Sequence, residues 1–250
     1  EFRRVLFRSE DSLSIISNYV TAGEIYLLNE DMKKGKENLE KAKSLIEKSK
    51  EPDSEKKCAI YFDMCVANHN FHDPKDAVHY CTKCADCILK FPPKDNQELL
   101  SKQGVITKIL AHNYTMLGEW DQGLKAYVEN NQVIEKISSV KDDPYYYGLG
   151  QNHIKMSKIY REKKDFNEAI NQLNQALDLF KKVKEKQSIL LYSGMRYLAE
   201  TYQESGNWNK ALECMKEALK LGSTFLTENH PNVKNDLQVL KELEQKVKSK

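Results

Sequence analysis

The chain has 250 residues, of which 40% are hydrophobic and 30% charged. It contains 39 Lys and Arg residues and 37 Asp and Glu residues. This near balance of charge gives no general argument for binding nucleic acid or an anionic membrane surface. No apolar run approaches the roughly 18 residues of a membrane span, and the composition favours a soluble helical protein with one large or two ordinary domains.

The first nine residues, EFRRVLFRS, hold three arginines and one acid, as a mitochondrial presequence or a phosphate-binding arm would. They more closely resemble a translated sequencing adapter, because their back-translation follows such an oligonucleotide over every codon. We therefore exclude residues 1–9 as a non-native segment and expect the natural sequence to begin at about Glu10, with upstream sequence missing. Without them 36 basic and 36 acidic residues remain, so the net charge is zero.

Beyond this segment one pattern of small, aromatic and large residues recurs five times. Successive copies are offset by 42, 46, 46 and 42 residues. The four extra residues of the longer intervals are close to one helical turn of about 3.6 residues, so the same face stays buried. The copies are residues 22–43, 64–85, 110–131, 156–177 and 198–219.

Two columns of this repeat hold small residues, which antiparallel helices need where they cross closely. The first column is Gly23, Cys65, Ala111, Ser157 and Ala199, and the second is Gly35, Ala77, Gly123, Ala169 and Ala211. Gly, Asn and Asp separate two halves of helical spacing, so each copy is predicted to be a helical hairpin. Because one hairpin cannot bury its apolar face alone, the pattern predicts a stacked solenoid.

The second copy departs most from the pattern. Asn68 stands where Tyr26, Tyr114, Tyr160 and Tyr202 stand in the other copies. The sequence His72-Asp73-Pro74 also replaces a turn that contains glycine in two other copies. We therefore expect a distortion in this copy.

This pattern of small residues, a tyrosine, a turn and a second small column resembles the tetratricopeptide repeat over residues 16–225. The tail TENHPNVKNDLQVL is similar to the segment between kinesin-light-chain-like repeats. The resemblance implies an all-α, right-handed superhelical solenoid of about five antiparallel helix pairs within residues 10–228. The expected repeat cores lie near 16–49, 58–91, 104–137, 150–183 and 192–225.

A capping helix is expected at the carboxyl end, over residues 229–250. Gly222 is expected to end the preceding helix and Pro231 to begin this one. Val233, Leu237, Leu240 and Val247 share one face of that helix and are predicted to cover the last repeat.

The segment HYCTKCADC is the sharpest candidate for metal chemistry, since His79, Cys81, Cys84 and Cys87 include zinc-ligand spacing. The repeat columns already explain these cysteines, because they replace buried leucines and alanines of other copies, and buried cysteine behaves as a small hydrophobic residue. We expect no metal, and reduced core thiols in a cytosolic or nuclear protein. A thiol- or zinc-dependent switch at residues 81–87 is an alternative.

Catalytic patterns are missing from the sequence. The six histidines are scattered, no Ser/His/Asp or Cys/His set arises from local spacing, and no phosphate-binding loop is present. Trp120, Phe166 and Trp208 share one column after the turn, which indicates packing between repeats and not a stacking surface for bases. We therefore predict no enzyme activity, no cofactor and no nucleic-acid partner.

The resemblance implies that the first helix of each pair lines a concave groove that binds peptides or helices. The candidate groove residues are Phe62, Lys108, His112, Lys158, Arg161 and Arg196. Their charge predicts an acidic partner segment in the later repeats, while Ile154 adds an apolar position. Phe62 stands where a site for chaperone tails would need a polar residue, so we do not predict a cochaperone.

Together these features predict a non-enzymatic scaffold or adaptor for protein partners, located in the cytoplasm, the nucleus or on the cytoskeleton. The chain could instead be the C-terminal repeat region of a larger enzyme or multidomain regulator, since upstream sequence is expected. The partner and the oligomeric state stay open.

Overall fold

The computed structural model describes residues 12–227 and 229–249. The segment 1–9, which resembles an adapter, lies outside the described residues. Every regular element among the described residues is an α-helix, which confirms the all-α prediction. The helices are α1 (Ser12–Leu28), α2 (Met32–Lys48), α3 (Glu55–Asn70), α4 (Pro74–Lys90), α5 (Asn96–Met116), α6 (Trp120–Ile137), α7 (Asp143–Glu162), α8 (Phe166–Phe180), α9 (Gln187–Glu204), α10 (Trp208–Gly222) and α11 (Pro231–Lys248).

The first ten helices form five antiparallel pairs, and α11 follows them. The chain divides into two compact units, with the division after Val133, inside α6. In the first unit α3 packs against both α1 and α4, and α4 packs against α5. In the second unit α9 packs against α8 and α10, and α11 packs against α10.

Small residues lie buried where the helices of each pair cross, as the two small columns predict. Gly23 and Gly35 show why the first pair needs them. A Cβ on Gly23 would lie 3.1 Å from Leu39 Cγ and 3.2 Å from the Gly35 carbonyl oxygen. A Cβ on Gly35 would lie 2.7 Å from Phe71 Cε1, so the Phe71 ring occupies the space that a side chain would take.

All five hairpin turns share one backbone geometry. Each contains a residue in the left-handed region, with φ between 56° and 79°, and the residue after it donates its N–H to a carbonyl five residues back, as in a Schellman motif. The left-handed residues are Glu30, His72, Gly118, Lys164 and Gly206. The expected distortion of the second turn is therefore wrong, because His72 adopts the same conformation as the glycines.

Side chains after these turns begin the second helix of a pair. Asp31, Asp73, Asp165 and Asn207 each accept a hydrogen bond from the backbone N–H three residues later. This interaction satisfies one of the free N–H groups at a helix start. Short polar residues at the turn thus define where the second helices begin.

The terminal helix begins at Pro231, and α10 ends at Gly222, as expected. Val233 is buried and Leu240 packs on the last pair, as predicted, but Leu237 is 41% exposed, and Leu243 and Asp236 are also buried. Leu243 packs with Ala199, Ala211 and Met215 of the last helix pair. The sequence pattern missed Asp236 because a charged residue is not expected at a core position.

The cysteines of the second pair are buried, as the repeat columns predict, but four of them are not thiols. Cys58 is bonded to Cys87, and Cys65 to Cys81, across α3 and α4. The Cα atoms lie 5.4 and 4.8 Å apart, within the range that a disulfide spans. The expectation of reduced thiols is therefore wrong for these four residues, because the columns of the two helices face each other at their crossing.

No helix in the described part of the chain has the length and hydropathy needed to cross a membrane.

Candidate protein-binding groove

A small pocket lies between α7 and α9 in the second unit, on the helices that were predicted to line a groove. Its volume is about 160 Å³. Ile154, Phe180 and Leu190 supply apolar walls, and Ile154 is buried. The polar lining residues are Gln151, Lys155, Lys158, Ser193 and Tyr197. The pocket therefore combines an apolar wall with two cationic side chains.

Lys158 is held at this pocket by Tyr197. The Lys158 Nζ lies 3.2 Å from Tyr197 Oη, to which it donates, and 4.5 Å from the centroid of the tyrosine ring. Both contacts fit a cation next to an electron-rich ring. Because a phenol is neutral, the charge of Lys158 stays available to an anionic ligand. Lys155 lies one turn earlier on α7 and is exposed.

Arg161, in contrast, is engaged within the protein. Its Nη1 lies 3.1 Å from Glu200 Oε2 and its Nε 3.1 Å from Glu204 Oε2, and its Nη2 also pairs with Glu204. These two carboxylates of α9 offset the guanidinium charge. Arg161 thus joins α7 to α9 and adds little net positive charge to the groove.

Arg196 lies on a different face of α9, towards α11. Its Nε lies 2.8 Å from Asp236 Oδ1, and Tyr192 Oη donates to Asp236 Oδ2 at 2.5 Å. The Arg196 guanidinium also lies 5.5 Å from the Tyr192 ring centroid. Burial, and next the hydrogen bond to Asp236, raise the pKa of Tyr192, so it remains a donor. Arg196 therefore anchors the terminal helix.

The remaining candidate residues belong to the first unit. Phe62 on α3 is half-buried, and Lys102 Nζ lies 6.0 Å from its ring centroid. Lys108 on α5 is exposed. The His112 ring meets the His69 ring edge to face, with centroids 5.3 Å apart. Burial lowers the pKa of His69, although its hydrogen bond to Asn113 acts in the opposite direction.

Two half-buried carboxyl groups lie on α1 and α3, the helices that open the first two pairs. Burial raises the pKa of Asp63 on α3, and the nearby Lys102 partly counters it. Burial, and next the charge of Asp63, raise the pKa of Glu24 on α1. This part of the first unit therefore carries two half-buried acids.

Sequence reasoning missed Lys155, Ser193 and Tyr197 at the pocket. Ser193, Tyr197, Glu200 and Glu204 follow one another at helical spacing on α9, which was the available signal. The pattern placed Arg196 on that face instead, because its spacing to Glu200 is also one helical turn. The Arg196 side chain points towards its ion-pair partner Asp236, which lies outside the repeats.

Metal chemistry finds no support in the described residues. No group of three or more His, Cys, Asp or Glu there is placed to hold a metal ion. Cys81 and Cys87, two of the three thiols in the zinc hypothesis, are bonded to other cysteines. A sulfur in a disulfide is not a thiolate ligand for zinc.

Family models of the tetratricopeptide repeat match three segments of the chain, residues 16–49, 150–182 and 193–224. These segments fall on the first, fourth and fifth helix pairs. No curated protein sequence matches the chain closely enough to count as a relative.

Solved structures with the same arrangement of helices share little sequence with this chain. BtubC (BKLC) from P. vanneervenii is 15% identical with a TM-score of 0.61, over 92% of this chain and 88% of that one. Nearly identical TPR-like repeats ascribed to a kinesin light chain of Podospora anserina give 15% and 0.62, over 87% and 100%. A signal transduction ATPase with a tetratricopeptide repeat sensor, from Pyrococcus horikoshii, gives 16% and 0.65, over 94% and 34%.

Proposed function

Because this chain is built from tetratricopeptide repeats, we propose that it is a non-catalytic scaffold that binds a partner's peptide or helix between α7 and α9. The tetratricopeptide-repeat fold is generally an interaction scaffold, and proteins with these repeats bind other proteins. The finer proposal concerns where the partner binds and what charge it carries.

The pocket between α7 and α9 is the observation that carries the proposal. None of its eight lining residues, all in the described part of the chain, has a carboxylate, while Lys155 and Lys158 are both cationic. Ile154, Phe180 and Leu190 give it an apolar wall. A ligand that suits this lining inserts one aliphatic or aromatic side chain and has a neighbouring carboxylate.

The proposed partner is therefore an acidic peptide or helix with an apolar anchor residue. Its carboxylates would form charge-assisted hydrogen bonds with the two lysines. Such bonds at a partly exposed rim mainly affect the association rate and the choice of partner. The side chains of Arg161 and Arg196 are paired with the protein's own carboxylates. The proposed site therefore uses fewer cationic side chains than the five basic residues that the sequence predicts.

The test uses labelled short peptides and measures fluorescence anisotropy. One peptide carries glutamates around a single phenylalanine, and its matched partner carries lysines in their place. We expect the acidic peptide to bind and the basic one to bind roughly tenfold more weakly or not at all. In a variant with Lys155→Glu and Lys158→Glu, this order should reverse.

The double variant Lys216→Glu and Lys220→Glu is the matched control, because both lysines are exposed on α10 in the same unit and do not line the pocket. It changes the net charge without changing the pocket. Equal binding of both peptides, or equal losses in the control and the pocket variant, would contradict the proposal. Circular dichroism confirms that each variant keeps its helical content.

Cytoplasmic and cytoskeletal locations stay hypotheses for this scaffold. The expectation of a cytosolic or nuclear location was based on reduced thiols, and the two disulfides remove that support. The alternative that the chain is the repeat region of a larger enzyme or regulator is tested by recovering the intact transcript. A catalytic motif upstream of Glu10 would favour that alternative.

A further inference from the structure

The helix pair α3–α4 concentrates the cysteine chemistry of the chain. Five of the six cysteines lie on its two helices. Cys58–Cys87 and Cys65–Cys81 join the helices at two levels, and Cys84 lies between them as a thiol. Both bonds stay inside this one pair, which therefore differs covalently from its neighbours.

The disulfides stand where the other pairs use apolar packing. Cys65 and Cys81 occupy the columns of Gly23 and Leu39, which are in close contact in the first pair. In the other pairs these two columns hold Ala111 and Tyr127, Ser157 and Leu173, and Ala199 and Met215. Each of those pairs places one large side chain at the crossing. Two cysteines supply no such large side chain, so their bond replaces packing that the other pairs have.

Burial protects the oxidised state once the pair is closed. The four bonded cysteines are at most 4% exposed, so a reductant in solution cannot reach the sulfurs without opening the helices. Cys84 is fully buried, and its Sγ lies 3.6 Å from the Cys58 carbonyl oxygen. Burial raises the pKa of the Cys84 thiol to about 12. Because only a thiolate attacks a disulfide, Cys84 does not rearrange the two bonds.

We propose that the packing of α3 against α4 depends on the redox state of the chain. Oxidation during folding forms the two disulfides and closes the pair, and a dithiol that reduces both bonds in the unfolded chain prevents this closure. In forming each bond, two cysteine thiols give two electrons and two protons to a small disulfide oxidant, which leaves as two thiols. A dithiol reductant reverses the reaction and is itself oxidised to a cyclic disulfide. The reduced pair has two thiols at each level, and the columns of Cys65 and Cys81 lack the large side chain that the other pairs place there.

The redox state also affects the position of Phe62, one of the predicted groove residues. Phe62 and Asp63 lie on α3 between the two bonded positions, Cys58 and Cys65. The two bonds hold this stretch of α3 against α4 at both ends. Opening the pair therefore releases Phe62 and its neighbours from a fixed position.

The first experiment measures which cysteines are thiols. The full chain is refolded with oxidised glutathione, denatured without reductant, alkylated, and examined by mass spectrometry of its peptides. We expect label on Cys84 and Cys214 only, and disulfide-linked peptides that pair Cys58 with Cys87 and Cys65 with Cys81. Label on all six cysteines, or a different pairing, overturns the proposal.

The second experiment compares hydrogen exchange of oxidised chain and of chain reduced while unfolded. We expect amides of residues 55–90 to exchange on the order of a hundredfold faster after reduction, while residues 143–222 are unchanged. Equal protection in both states overturns the proposal.

A variant with the residues of the first pair provides the control. Cys58→Ile, Cys65→Gly, Cys81→Leu and Cys87→Leu place the residues of the first pair at both levels without sulfur. We expect this variant to be protected equally with and without the dithiol. Cys84→Ala, which leaves both bonds, should keep the redox dependence. Loss of that dependence in Cys84→Ala, or its persistence in the four-residue variant, counts against the proposal.

Discussion

Arg196 Nε lies 2.8 Å from Oδ1 of Asp236, a residue with no exposed surface on the terminal helix. Tyr192 donates to the other oxygen of the same carboxylate. A buried charge is stable only when such partners surround it. This contact therefore determines how α11 covers the last helix pair.

We predict that Arg196→Ala destabilises the docking of α11, because Asp236 then keeps a buried charge without its cation. The expected cost is about 3 kcal/mol. Hydrogen exchange of residues 231–248 measures it directly, and peptide binding at the pocket should change less. Lys234→Ala, an exposed change on α11, serves as the control. Equal protection in both variants would show that the ion pair does not dock the helix.

The second prediction concerns the contact between Gly35 and Phe71. Gly35→Ala places a methyl group against the phenylalanine ring and should lower the free energy of unfolding by about 1–3 kcal/mol. Phe71→Leu in the same chain should recover part of this loss, since the smaller side chain leaves room for the methyl group. Urea unfolding of both single variants and the double variant gives the coupling energy. Strict additivity would contradict direct packing.

The third prediction uses the left-handed turn positions. Lys164 and Gly206 occupy the same place in successive turns, with φ of 59° and 79°. Lys164→Gly should therefore stabilise the fold, and Gly206→Lys should destabilise it, each by about 1 kcal/mol. Thermal unfolding under matched conditions measures both shifts. Lys163→Gly, at a position with φ of −74°, should bring no gain, and a gain there would point to another cause.

The fourth prediction concerns pH. The pKa values of Glu24 and Asp63 are raised in the folded chain, chiefly by burial. The folded state therefore binds more protons than the unfolded state at pH values just above the ordinary pKa values of 4.5 and 3.8. By linkage, the contribution of these groups to stability falls as the pH rises through their folded pKa values.

Glu24→Gln should consequently raise the stability of the first unit at neutral pH and reduce its decline between mildly acidic and neutral pH. Urea unfolding at several pH values, compared with the unchanged chain, isolates this difference. Glu37→Gln, at an exposed position on α2, is the control. An identical pH profile for the Glu24 variant would mean that the carboxyl is well solvated.

The repeat columns predicted the helix pairs because small residues at a crossing leave a periodic mark in the sequence. Gly23, Ala111 and Ala199 needed no structure to be placed in the core. The turn at His72 was harder, since a left-handed conformation costs a non-glycine residue only about 1–2 kcal/mol and surrounding hydrogen bonds can impose it. The position of His72 within the repeat indicates the left-handed conformation, whereas its residue type does not.

The predicted groove residues point in different directions. Lys158 lies at the pocket, whereas Arg196 points towards Asp236, a partner outside the repeat and therefore invisible to a comparison of copies. The disulfides escaped prediction for a related reason. The repeat columns align each helix with its equivalents in other copies, and only the register between α3 and α4 shows that Cys65 faces Cys81.

The two disulfides close loops with sequence separations of only 29 and 16 residues. All four bonded cysteines have been translated once synthesis reaches Cys87, before the first residue of the last three helix pairs. Formation of both bonds therefore requires no residue of the last three helix pairs.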